Sequence, residues 1–214
     1  MNTYGLTIAV PRGALFGEAL GLLDALGVDT REIRTNDRKL VFADLGVITM
    51  RPSDVPSYVE HGSDDVGITG KDVLSEQSDR DVYELLDLGF GGCRMIVAAL
   101  AGSDPLGESL RRLGRVRIAT KYPRIAARHF AETGRQAEIV EVKGSVEIAP
   151  LTGLADAIVD LTATGRTLTE NRLEERETIF ESSARLVANP VAHRLKVREI
   201  DQLVAQIRAL GDGR

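Results

Sequence analysis

Short apolar runs that stop at proline or glycine alternate along this chain with segments of helical spacing, and that alternation sets the fold class. Leu6-Thr7-Ile8-Ala9-Val10 reads as a strand ended by Pro11, and Ala14 to Leu26 as a helix stopped by Gly27. Lys39 to Ala43 and Val47 to Met50 read as extended, with Asp44 to Gly46 as a hairpin turn. Arg51-Pro52-Ser53-Asp54 opens a short helix through Glu60 that ends near Gly62. Asp65 to Gly70 is the next strand, and Lys71 to Ser75 starts a helix. A second series begins at Gly91-Gly92. Its expected strands are Met95 to Leu100, Val116 to Thr120, Ile139 to Val142 and Ala155 to Leu161. Its expected helices are Pro105 to Leu113, Pro123 to Thr133 and Val146 to Leu151. Thr178 to Ala188 reads as extended again, and Val191 to Leu210 as a closing amphipathic helix. Repeated βαβ pattern predicts mostly parallel sheets covered by helices.

Gly89 to Gly92 separates two α/β series of similar size and is the expected hinge. The first lobe is expected to hold residues 1–90 and 174–214, and the second lobe residues 91–173. Two lobes joined by paired crossings predict a cleft, and ligands bind at strand carboxyl ends beside such a cleft. Pro11-Arg12-Gly13, Gly67 to Gly70, Thr120-Lys121-Tyr122 and Asp160 to Thr167 are the segments expected around it.

Composition closes off several classes of function. The net charge of −5, without a long basic run, argues against nucleic-acid binding. It also means that anionic ligands must be drawn by local arginines and helix ends rather than by overall charge. Cys93 is the only cysteine, which excludes an intrachain disulfide and a cysteine zinc cluster; it reads as a buried, inert thiol. His61, His129 and His193 lie far apart and read as surface or core residues. No apolar run approaches a membrane span, and Arg12, Glu18 and Asp24 interrupt the amino-terminal segment, so neither a membrane location nor a secretory signal is expected. The expectation is a cytoplasmic protein.

The chemically richest stretch is Asp160-Leu161-Thr162-Ala163-Thr164-Gly165-Arg166-Thr167-Leu168, which follows the apolar run Ala155 to Val159. A carboxylate at a strand's end, then small hydroxyl residues, a glycine and a helix start, suits a sugar phosphate. Backbone N–H groups and threonine hydroxyls cup the phosphate while the acid accepts from ribose hydroxyls. The same residues also read as a strand–turn–helix joint, with Asp160 and the threonines as turn formers and Thr167 with Glu170 as a capping box.

These segments resemble the ATP phosphoribosyltransferase family in its short form. The resemblance runs through Pro11-Arg12-Gly13, Arg38-Lys39-Leu40, Arg51 to Val59, Asp65 to Gly70, Arg117 to Pro123, Glu147-Ile148-Ala149-Pro150-Leu151 and Gly153 to Leu168. It implies a two-lobed, periplasmic-binding-protein-like α/β fold. It also implies a reaction in which N1 of the ATP adenine displaces pyrophosphate from C1 of 5-phosphoribosyl 1-pyrophosphate (PRPP) with substrate-bound Mg²⁺. The nucleophile then belongs to the substrate, and the protein works by positioning and electrostatics.

The resemblance implies roles residue by residue. Glu147 and Asp160 approach the ribose hydroxyls, and Thr162, Ala163, Thr164, Gly165, Arg166 and Thr167 surround the 5-phosphate. Arg12, Arg38 and Arg51 lie near the phosphates of ATP and pyrophosphate, with Asp65 to Gly70 beside the adenine. Lys121 and Tyr122 fall on the ATP side. Arg51, Arg12, Asp160 and Glu147 are the implied catalytic set, and no protein metal site is implied. Each residue has a plainer reading: Glu147 as a solvated helix-start acid, Tyr122 as a packing ring, any one arginine as a surface ion-pair partner. Family members often have lysine where Arg12 stands and arginine where Ala14 stands, so contacts at that turn depart from the pattern. The short form implies a separate regulatory subunit resembling histidyl-tRNA synthetase, and a homodimer within a hetero-oligomer. The rival is a two-lobed sensor of small molecules without catalysis, since fold alone separates neither.

Overall fold

The computed structural model describes residues 4–211, so positions 1 and 214, the ends of the expected first lobe, lie outside it. The chain opens with β1 (Ile8–Pro11), all four residues buried, and α1 (Phe16–Ala25), which ends in a left-handed turn at Gly27. A short α2 (Arg31–Thr35) follows, which the sequence reading left unassigned. The expected hairpin joins β2 (Val41–Phe42) to β3 (Val47–Met50) through a 3₁₀ turn, and Gly46, at φ +67°, supplies its left-handed residue. Then come α3 (Val55–Glu60), β4 (Val66–Gly70), α4 (Lys71–Glu76) and β5 (Tyr83–Asp87).

The second series is β6 (Cys93–Leu100), α5 (Pro105–Leu113), β7 (Val116–Thr120), α6 (Pro123–Glu132) and β8 (Ala137–Glu141). It continues with α7 (Ile148–Leu151), β9 (Ala157–Thr162), α8 (Arg166–Glu170) and β10 (Leu173–Ser182). The termini of α5 show why its boundaries were legible: the Asp104 carboxylate accepts the Gly107 N–H at 3.0 Å, Pro105 starts the helix and left-handed Gly114 ends it. The chain closes with β11 (Ala184–Ala188), α9 (Pro190–Leu195) and α10 (Val197–Gly211).

Two compact units result, Met1–Gly91 with Ser183–Arg214, and Gly92–Ser182. The second crossing therefore lies at 182/183, not at the expected 173/174. The reason is β10, which pairs with β6 along its whole length and so keeps residues 173–182 in the second unit. The expected extended run Thr178 to Ala188 is two strands in two sheets, parted at Ser183.

The first unit's sheet has the order β2-β3-β1-β4-β11-β5, and the second unit's β10-β6-β9-β7-β8. The expectation of mostly parallel sheets is corrected to mixed sheets. Only β1–β3 and β1–β4 in the first unit, and β7–β8 and β7–β9 in the second, run parallel. A parallel partner needs a long crossover. Ser183 alone joins β10 to β11, and strands near the crossings pair antiparallel instead.

Side chains alternate across each sheet. In β1, Ile8 and Val10 pack with Leu20 and Leu23 of α1 and Ile200 and Leu203 of α10, while Ala9 faces Val55 and Val59 of α3. In β6, Met95 and Val97 join Leu106, Ile125 and Phe130, and Ile96 and Ala98 join Ala149 and Leu168. The expected single closing helix is two, because Lys196 breaks the helical geometry between α9 and α10. Val191 and Leu195 fall outside the buried stripe and are exposed. Cys93, expected in the core, is half-buried at the start of β6.

Asp64, just before β4, is fully buried, and neither carboxylate oxygen has a hydrogen-bond partner among the described residues. Burial, with the adjacent Asp65 charge, pushes it from 3.8 to about 6. The folded chain thus holds this proton more tightly than the unfolded chain. The group's stabilising contribution is complete below 3.8 and is lost as pH rises through about 6. Asp64→Asn is expected to raise stability by about 2 kcal/mol at pH 8 and to change little near pH 4, read by urea unfolding at both pH values. An equal effect at both would show that the carboxyl takes up its proton alike in the folded and the unfolded chain.

Candidate active site

The central strand β9, between β6 and β7, carries the acid. Asp160 stands opposite Ile96 of β6 and is only 9% exposed. Its Oδ1 accepts the Leu161 N–H at 2.8 Å and lies 3.2 Å from Lys121 Nζ. Burial raises its proton affinity above that of an ordinary carboxyl; Lys121 and the Leu161 amide oppose this, and Glu147 adds to it. Glu147 sits at the head of α7.

Beyond β9 the chain turns sharply. Thr162 Oγ1 accepts the Gly165 N–H at 3.0 Å, and Thr164 Oγ1 accepts the Arg166 N–H at 3.4 Å. Gly165 has φ +75°, while a Cβ there would meet open space. Backbone conformation, not crowding, therefore demands glycine at this position. Gly165 is also the residue that caps α8. The expected capping box of Thr167 and Glu170 is absent: Glu170 accepts from Arg166 Nε at 2.8 Å, one helical turn back. Glu147, Asp160, Thr162, Ala163, Thr164, Gly165, Arg166 and Thr167 line one hollow of about 200 Å³. That is below the range of roughly 300–1,000 Å³ for drug-sized ligands and suits a single sugar phosphate. First-turn N–H groups of α8, which have no carbonyl partner inside the helix, and the exposed Thr164 and Thr167 give it donors but no anion of its own beyond the two acids.

Lys121 and Tyr122 follow β7. Lys121 belongs with Asp160, and Tyr122 packs against the core of α5 and α6 while heading α6. Thr120, which the sequence reading placed in this segment without giving it a role, fixes this turn. It is fully buried, donates to Val159 O at 2.7 Å and accepts the Tyr122 N–H at 2.8 Å. A threonine that ends a strand three residues before Pro123 was the available signal.

In the first unit, Arg12 and Arg51 follow the carboxyl ends of the parallel neighbours β1 and β3, where the Arg12 N–H donates to Met50 O at 2.7 Å. The Arg12 side chain donates to Thr49 Oγ1 at 3.0 Å and Lys39 O at 2.9 Å, and its guanidinium lies over the Phe16 ring. It is held in place with donors to spare. Arg38 and Arg51 are exposed, with no hydrogen bond or ion pair from their side chains among the described residues. Gly70 ends β4 and is buried, and a Cβ there would meet the Asp72 carboxylate, which would have to swing aside.

Asp65 does not join this group. It precedes β4, at the amino end of the strand. Its carboxylate accepts the Thr7 N–H at 2.8 Å and the Thr7 hydroxyl at 3.1 Å, and pairs with Lys196 Nζ at 2.7 Å. Asp65 ties the starts of β1 and β4 to Lys196 at the junction of α9 and α10, at the opposite end of β4 from Gly70.

The sequence profile of the ATP phosphoribosyltransferase family (HisG) matches residues 51–209. Among relatives, the ATP phosphoribosyltransferase of Rubrobacter xylanophilus is 52% identical over 206 residues, covering 95% of each chain. That of Bacillus subtilis is 45% identical over 212 residues, covering 97% of this chain and 96% of the other. A chain of the HisG:HisZ ATP phosphoribosyl transferase complex from Thermotoga maritima superposes with a TM-score of 0.82 at 33% identity, covering 98% of this chain and all of that one. The periplasmic aliphatic sulphonate binding protein SsuA of Escherichia coli, at 13% identity and a TM-score of 0.58, shares the fold alone; the match covers 94% of this chain and 70% of that one. Fold, loop and sequence agree: the chain belongs to the ATP phosphoribosyltransferase family.

Proposed function

We propose that this chain transfers the 5-phosphoribosyl group of PRPP to N1 of ATP and releases pyrophosphate, the first step of histidine biosynthesis. The observation that carries this reading is the hollow beside Asp160, where two acids face an anion-accepting turn. Asp160 and Glu147 accept from the ribose hydroxyls, and the turn from Thr162 to Thr167 donates to the 5-phosphate. As the C1–oxygen bond to pyrophosphate breaks, charge builds on the leaving oxygens and on the ribose ring with opposite signs. Carboxylates below the ribose stabilise the ring, and arginines stabilise the leaving group. Arg51 and Arg38 have no side-chain partner among the described residues and Arg12 is held, which fits three cations awaiting phosphates.

No cluster of three or more His, Cys, Asp or Glu side chains stands placed to hold a metal ion among the described residues. That donor set fits Mg²⁺ carried by the substrate phosphates and water, where it neutralises pyrophosphate charge, rather than a protein cage. A regulatory partner resembling histidyl-tRNA synthetase, with dimers of this chain in the assembly, completes the reading, and the matched Thermotoga chain comes from a two-component complex. No described helix is long and apolar enough to cross a membrane. The test mixes the chain with ATP, PRPP and Mg²⁺, with and without the partner, and follows pyrophosphate. Release that requires ATP, PRPP and Mg²⁺ together is expected. Tight ligand binding without release under either condition assigns the sensor role instead.

A further inference from the structure

The resemblance implied that Lys121 serves ATP; its surroundings give it another task. Thr120 Oγ1 bonds both to Val159 O of β9 and to the Tyr122 N–H, so the turn that carries Lys121 is pinned one residue away from Asp160. From that turn the Lys121 ammonium lies 5.2 Å over the Tyr122 ring centroid and 3.2 Å from Asp160 Oδ1. The Leu161 N–H shares the same oxygen at 2.8 Å. Both donors thus lie on Oδ1, and Oδ2 has no partner among the described residues. A carboxylate held by one oxygen keeps the other for a ligand.

We propose that Lys121 is the positioning residue of the sugar-phosphate hollow: it holds Asp160 as an anion in the rotamer that offers Oδ2 to ligand hydroxyls. This deepens the reading of the hollow given above and, for its kinetic arm, rests on it. The electrostatic reason is local. Asp160 is 9% exposed, and burial alone drives a carboxyl toward its neutral form. The charged groups facing it are Lys121, from the turn after β7, and Glu147, from the head of α7, which repels it. β6 presents Ile96, and Arg166 of α8 is engaged by Glu170. Lys121 is therefore the one cation facing Asp160 among the described residues. At 41% exposure the Lys121 head reaches water as well as Asp160. A neutral Asp160 would present a proton where hydroxyl donors need an acceptor, and the ligand would meet a donor against a donor.

The experiment compares Lys121→Met, Lys121→Arg and the parent chain. Carbon-13 NMR follows the Asp160 carboxyl against pH in the free protein, a measurement that needs no catalytic activity. The Met variant is expected to move the Asp160 midpoint up by about one pH unit or more, and the Arg variant to leave it nearly in place. In kinetics, Lys121→Met is expected to raise KM for PRPP about tenfold at pH 7 and to recover toward the parent near pH 9, with KM for ATP unchanged. An unmoved midpoint in the Met variant overturns the proposal. So does a loss shared equally by PRPP and ATP or independent of pH, which would return Lys121 to the ATP side. If the parent chain releases no pyrophosphate, the proposed reaction fails, and the titration still decides whether Lys121 governs Asp160.

Discussion

Asp160→Ala is expected to lower kcat/KM for PRPP about 1,000-fold while ATP binding stays within a few-fold of the parent. Each hydrogen bond to a charged acceptor contributes about 1.5–3 kcal/mol, and two ribose hydroxyls bonded to a buried carboxylate make about 4 kcal/mol. At about 1.4 kcal/mol per tenfold, that is three orders of magnitude. Folding is expected to survive or improve. Burial is the largest influence on Asp160 and raises its proton affinity in the folded chain. A carboxyl raised in this way contributes stability that is complete below its unfolded value and lost as pH rises through its folded value. The Ala variant should therefore gain on the parent as pH rises, seen as a thermal midpoint that falls less between pH 5 and pH 8. Lys121, left without its acid, is exposed enough for water to take over. Steady-state kinetics against each substrate, with melting curves at both pH values, checks this. Equal losses for ATP and PRPP, or a chain that no longer folds, would make Asp160 a structural residue.

The sequence made legible what is written in local punctuation. α5, α6 and β7 were readable because Pro105, Pro123, Gly114 and the run Val116 to Thr120 mark them directly. β5 was missed because none of Tyr83 to Asp87 is buried: at the sheet edge a strand need not show an apolar face. The start of β10 was missed because Glu174-Glu175-Arg176-Glu177 reads as a solvated run. Glu174 and Arg176 pair within the run, while Glu175 is matched across the fold by Arg94 of β6 and Glu177 by Arg135 and His129. The phosphate turn was legible because it is continuous in sequence. Continuity in sequence did not by itself tell where Asp65 stands. Asp65 and Gly70 are close in the chain, but five strand residues extend about 17 Å, so one lies at each end of β4. The pairing of Lys121 with Asp160 spans β7 and β9, and register of that kind is not written in either segment alone.

Gly67→Ala is expected to destabilise the first unit by about 2–3 kcal/mol, the cost of overpacking a filled core. Gly67 lies on β4 beside Ala9 of β1, beneath α3. A Cβ there would come within 2.6 Å of Val55 Cγ1, 2.9 Å of Val59 Cγ2 and 3.3 Å of Ala9 Cβ. Both valines are fully buried, and a β-branched side chain in a helix has essentially one rotamer, so the methyl groups cannot swing aside. α3 must lift from the sheet. Its first turn is tied to Arg51, whose carbonyl accepts the Asp54 N–H at 2.9 Å, so lifting the helix also displaces that guanidinium. The melting temperature should fall by about 6–10 °C for a chain of this size, and kcat should fall with it at temperatures where the variant is fully folded. The control is Gly67→Ala combined with Val55→Ala, which removes the methyl group nearest the added carbon. If close packing of α3 is the cause, the double variant regains most of the lost kcat although it carries two core changes. Losses that simply add would mean that Gly67 matters for its backbone and not for the room it leaves.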